Sequence, residues 1–216
     1  MPRSAIRGFL LALAIAALGQ RTEAQQIIDR VVARVENDVI LASDVRALSC
    51  YQQFLDGKSE SGEQILDLLI DQWIVRTEAD VALSPHPSEA EIDKAISRLR
   101  RSFASEEEFE TRRQQAGLSM QEIRAMAAAQ LYLSNYLDSR FRPSVQIEPK
   151  AIEEFYENAL VPRAKARGQQ PPSLEAARDA IQEALVQSGI NEQANKWLKE
   201  SRLRLHIEKL SLQGAQ

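Results

Sequence analysis

Apolar and polar positions alternate with two different periods along this chain. At residues 27–43 the branched aliphatics of "IIDRVVARV" and "VILAS" recur at strand spacing. Between them lies Asn37-Asp38, a pair that tolerates the left-handed backbone of a tight hairpin turn. With those two residues as the loop, Val35 faces Ile40, and Val31, Ala33, Val35 and Ile40 share one side of the ribbon. A two-stranded ribbon alone is marginal in water. Its predicted third strand lies at the far end: "RLRLHIEKL", residues 202–210, sets Leu203, Leu205 and Ile207 against Arg204, His206 and Glu208. The two ends of the chain are therefore expected to meet in one sheet.

Between the ends the period is helical. "SDVRALSCYQQFL" starts at a Ser43 cap and ends near Gly57. "EQILDLLIDQWIVRTEADVAL" carries Ile65, Leu66, Leu69, Trp73, Ile74 and Val81, a pattern predicting a helix buried on more than one side. Three S-x-x-E capping boxes follow, Ser88 with Glu91, Ser105 with Glu108 and Ser119 with Glu122. Each satisfies two otherwise unpaired backbone donors at a helix start. The last helix should run to just before Pro143, and another from about Pro149 to Leu160. "VPRAKARGQQPP", residues 161–172, reads as a linker or exposed turn. The final helices should begin at Ser173 and break at Gly189. The predicted fold class is mostly α: a helical lobe with a small β-sheet formed by the N-terminal hairpin and the C-terminal strand.

The first residues carry a different signal. Arg3 and Arg7, the block "GFLLALAIAAL" and then Thr22-Glu23-Ala24 have the order of a secretory signal peptide, residues 1–24, cut after Ala24. A cut after Gly19 would sit almost against the apolar block. That block is too short to span a bilayer permanently, and no cysteine follows either site to anchor a lipid. The expectation is an exported, soluble protein with no integral membrane segment after cleavage. Removing the leader takes away Arg3, Arg7, Arg21 and Glu23, leaving 24 basic and 30 acidic residues and a net charge of −6. So acidic a chain argues against nucleic acid or an anionic membrane as the main partner. Cys50 is the single cysteine, so no intramolecular disulfide exists; it falls in an apolar helical pattern and reads as a small buried hydrophobe.

Catalytic material is sparse. His86 lies between two prolines and His206 on the polar face of the last strand, and neither has a second histidine or a cysteine at ligand spacing. The sequence has no Gly-rich phosphate loop and no G-x-S-x-G elbow. No catalytic residue, cofactor or metal is expected. Glu106-Glu107-Glu108 reads as a helix first turn complementing the dipole, and Arg98, Arg100 and Arg101 as a solvated helix face. What remains is soft apolar material on the later helices. Most of it should be core, but Met and aromatic residues suit an adaptable surface, and Phe109, Met120, Met126 and Tyr132 are the candidates for contacting an unfolded polypeptide.

The order of these signals resembles the SurA family of periplasmic chaperones. "IIDRVVARVENDVILASDV" is similar to that family's opening hairpin and its entry through Ser-Asp-Val into the first helix. "LLIDQWIVRTEAD", "LSPHPSEAEIDKAI" and "FETRRQQAGLSMQEIRAMAAAQL" resemble the helices that follow, and "NEQANKWLKESRLRLHIEKL" the closing helix and strand. The resemblance covers residues 27–157 and 173–210, and it divides the chain into a leader (1–24), a chaperone lobe (25–160), a linker (161–172) and a C-terminal segment completing the lobe (173–216). Members of the family typically carry parvulin-type prolyl isomerase domains where this chain has Val161 to Pro172, too few residues for any domain. The resemblance thus implies a non-enzymatic, ATP-independent chaperone that binds unfolded outer-membrane or secreted proteins and lacks isomerase activity. A structural adaptor, its apolar groove filled by one dedicated partner or by a second copy in a homodimer, is the alternative.

Overall fold

The computed structural model describes residues 29–211, so the expected leader and its cleavage site lie outside the described residues. Strands β1 (Val31–Val35) and β2 (Asp38–Leu41) form a hairpin, and β3 (Ile207–Lys209) pairs antiparallel with the other edge of β1, giving the order β2-β1-β3. The two ends of the chain do meet in one sheet. The hairpin register differs from the expected one, because Val35 pairs with Asp38 and Ala33 with Ile40. Its loop is Glu36-Asn37, and Glu36 rather than Asn37 takes the left-handed backbone, at φ +52°.

The cause of that shift is non-local. Glu36 N–H donates to the His206 carbonyl at 2.9 Å, and its carboxylate accepts from His206 N–H at 2.7 Å. A conformation costing about 1–2 kcal/mol for a residue with a side chain is thus held by two bonds to the far end of the chain. Ala33, Val35 and Ile40 remain buried on one side, since a shift of two positions preserves face.

Eight α-helices fill the space between strands among the described residues: α1 (Ala42–Asp56), α2 (Gly62–Val81), α3 (Glu89–Arg101), α4 (Glu106–Gln115), α5 (Met120–Phe141), α6 (Pro149–Phe155), α7 (Val161–Ala166) and α8 (Leu174–Arg202). Ser88, Ser105 and Ser119 cap α3, α4 and α5 as their spacing predicts, each worth about 1 kcal/mol. The Glu108 carboxylate, however, accepts from Ala104 N–H, one residue earlier than a standard box. Ser43 is no cap. It lies within the first turn of α1, its hydroxyl donating to Asp29, while Asp44 accepts from Leu41 N–H at 2.8 Å. Val81, expected in the core of α2, is exposed at the helix end.

The segment after α5 differs most from expectation. Residues 161–166, expected as linker, are helical: α6 continues through a π-helical turn (Tyr156–Leu160) into α7. Gly189 does not break α8, which is one helix of 29 residues. It serves a close approach instead: a Cβ at this position would stand 2.7 Å from Val145 Cγ1 and 3.2 Å from Cγ2. Because α8 continues to Arg202, the expected strand 202–210 contracts to three residues, and Leu203 is left exposed.

Three buried clusters build the body. Val32, Val35, Ile65, Ile70 and Ile74 lie between sheet and α2; Phe54, Ile92, Ile96, Phe109 and Ile123 join α1, α3, α4 and α5, with Cys50 partly buried against them; Val75, Ala79, Tyr132 and Tyr136 join α2 to α5 and meet Trp197 of α8. A fourth, Ile152, Ala177 and Ile181, belongs to a two-helix arm made by α6, the π-helical turn and the start of α8. Where arm meets body, Arg142 bonds Asp138 and Glu183, and holds the Glu183 carboxyl down to about 2.

The Gly189 contact predicts a reversal of sign. In the native background Gly189→Ala should destabilise, since the clash with a stiff branched side chain costs about 1–3 kcal/mol against a helix-propensity gain of at most about 1 kcal/mol. In a Val145→Ala background the same substitution should stabilise. Urea midpoints of the four proteins check this.

Candidate functional site

An apolar groove of about 520 Å³ is bounded by the hairpin, α1, α2 and α5. Each wall is one stripe of its element at helical spacing. On α1 the stripe is Leu48, Tyr51 and Leu55; on α2 it is Leu68, Leu69, Gln72, Trp73 and Arg76; on α5 it is Met126, Ala129 and Leu133; Val39 and Ile40 close the end. Trp73 forms part of the floor, and its indole N–H donates to Asp38 at 2.8 Å, which fixes β2 against α2. Val39 is 50% exposed and Leu68 37% exposed. Leaving such side chains part-exposed forgoes burial worth roughly 1 kcal/mol each.

Asp44, Asp56 and Arg76 rim this aliphatic surface. Asp44 and Asp56 lie twelve positions apart on α1, about 18 Å along its axis, room for roughly five residues of extended chain. The lining can take apolar side chains from such a segment. A second cleft, about 880 Å³, lies between residues 144–147 and α8, with Phe141 and Trp197 beside Gln146, Gln193, Lys196 and Glu200. Its lining mixes charge and aromatic surface, so it is less suited to an apolar chain.

Of the four candidate contact residues, Met126 alone lines the groove. Phe109 is fully buried in the second cluster, edge-on to Phe54 and Phe103 at 5.3 Å each, with the Arg100 guanidinium 4.6 Å above its ring. Met120 is partly buried there, its sulfur 3.6 Å from Arg100 Nη2. Tyr132 is buried, and its hydroxyl donates to Asp80 at 2.6 Å. The aliphatics that line the groove, Val39, Leu48, Leu55, Leu68 and Leu69, were not among those candidates; they are ordinary core-type residues, and what leaves them in the lining is how the hairpin, α1 and α2 pack.

The histidines lie apart from this groove. His86 is exposed and stacks on Tyr132, centroids 4.4 Å apart, and His206 is exposed and engages Glu36 through its backbone. Among the described residues no group of three His, Cys, Asp or Glu side chains is placed to hold a metal ion, and no helix is long and apolar enough to cross a membrane. Compared with known proteins, the chain matches no family model and no curated protein.

The hydrogen bond to Asp80 pushes the Tyr132 phenol up to about 12. Because the fold favours the protonated phenol, its contribution to stability is complete below the unfolded value of about 10 and is lost as pH rises through about 12. Asp80→Asn should bring the ionisation back toward about 10, visible as an earlier step in a spectrophotometric tyrosine titration.

Proposed function

We propose that this protein is an ATP-independent chaperone of the periplasm, a SurA-like lobe without a prolyl isomerase domain, which captures unfolded outer-membrane or secreted proteins. The observation that carries this reading is the open aliphatic groove between the hairpin, α1, α2 and α5, with Val39 and Leu68 held in solvent at its rim. A concave apolar lining with a few polar groups at its edge is the form that ligand-binding clefts take. The resemblance of the chain's ends and helix order to SurA chaperones supports the same reading.

The mechanism needs no covalent chemistry. An extended apolar segment enters the groove, buries two or three side chains, and is lost again when it dissociates. The gain of a few kcal/mol per segment, set against the cost of association, leaves weak and reversible binding. Capture lowers the free concentration of unfolded chain and so slows its aggregation.

The test is a fluorescence titration of residues 25–216 against an unfolded outer-membrane β-barrel protein diluted from urea, with an unrelated soluble unfolded chain alongside. Saturable binding of the barrel protein, with suppressed light scattering, is the expected result. Leu68→Asp, at an exposed position, should weaken it roughly tenfold or more without changing the melting temperature. Binding of neither chain, beside a stable dimer or a single co-purifying partner, would contradict the reading and favour an adaptor.

A further inference from the structure

The overall acidity of the chain conceals a local reversal. Between Glu157 and Glu175 the sequence holds no acidic residue, yet it carries Arg163, Lys165 and Arg167. The structure gathers these three at the tip of the arm, the first two on α7 and the third at its C-terminal cap, all exposed. Of the arm's other charges, Lys150 pairs with Glu154 and Arg178 with Glu175, Glu183 engages Arg142 at the joint, and Glu153, Glu157 and Asp179 lie along the shaft behind the tip. None of the ion pairs among the described residues includes a cation of the tip.

We propose that this tip is an electrostatic docking point for an anionic lipid surface, which the arm meets end-on. Shape and charge together favour that occupant. Neither the groove nor the second cleft is lined by a residue of the tip, and the main neighbour of α7 is the π-helical turn before it. The tip presents three long, exposed cations on a short helix end. Such a surface responds to charge density rather than to sequence.

End-on approach also removes the objection raised by net charge. Arg163 lies fourteen positions beyond Pro149, about 21 Å along the helical axis from the joint. That exceeds the physiological Debye length of about 8 Å, so the acidic body is screened from a surface the tip touches. Each cation brought near an anionic leaflet raises binding roughly fivefold, and three together roughly a hundredfold. The apolar groove has no lining residue on the arm, so tip contact leaves its walls uncovered.

The test is flotation of residues 25–216, which contain every described element, with vesicles of phosphatidylcholine alone or with one third phosphatidylglycerol. The expected result is binding to the anionic vesicles only, abolished at 1 M salt, where the Debye length is about 3 Å. Arg163→Gln/Lys165→Gln/Arg167→Gln should lose most of that binding, on the order of a hundredfold, with unchanged melting and unchanged binding of an unfolded chain. Equal flotation of wild type and triple variant would overturn the proposal, as would absence of flotation. Salt-sensitive retention on immobilised polyglutamate without flotation would also overturn it, and would assign the tip to an acidic protein. Because the groove and the tip share no residue, the chaperone reading stands or falls separately.

Discussion

The hydrogen bond from His206 N–H to the Glu36 carboxylate spans 170 residues of sequence. Closing a loop of that length costs about 4–5 kcal/mol in chain entropy, and several local contacts offset it. The Leu210 N–H donates to the Val32 carbonyl, and Glu36 N–H to that of His206. Arg202 bonds Asp67 and Asp71 of α2, and Lys209 joins it on Asp67. Burial would raise the Asp67 carboxyl, but its bonds to Arg202 and Lys209 outweigh that and hold it below its usual value. C-terminal strand, hairpin and α2 are thereby locked to one another.

The groove depends on this lock. Its end wall is Val39 and Ile40 of the hairpin, a ribbon that is marginal alone. With β3 on one edge and the Trp73–Asp38 bond on its neighbour strand, the ribbon is fixed against α2. The same α8 that delivers β3 continues outward into the arm, where Arg140 lies between Trp197 at 4.9 Å and Phe141 at 5.6 Å near the base. One helix thus connects the sheet, the groove-bearing body and the cationic tip.

Elements whose cause is local could be read from the sequence. The three Ser caps and the stop at Gly57 depend on residues within a few positions, and they stand where the pattern put them. Where a distant partner decides, local preference misleads. Asn37 is the better left-handed residue, yet Glu36 adopts that conformation because β3 bonds it. Gly189 looks like a helix stop, yet it admits Val145 within a continuous helix. The four contact candidates also rested on a local signal, and three of them lie away from the groove. Large soft side chains suggest a binding surface, but size also favours burial, and Phe109 and Tyr132 went inside. The groove fell to ordinary aliphatics such as Leu68, whose exposure is set by tertiary geometry that no local pattern carries.

The claim that the two chain ends form one cooperative unit with α2 is tested most directly by native-state amide hydrogen exchange. The amides of Glu36, His206 and Leu210 are each bonded across the clasp, and they should exchange with the same opening free energy as the interior of α2 around Ile70 and Ile74. Exchange of those three amides in a separate, much easier opening, while α2 stays protected, would show that β3 is an ornament on a hairpin that stands without it.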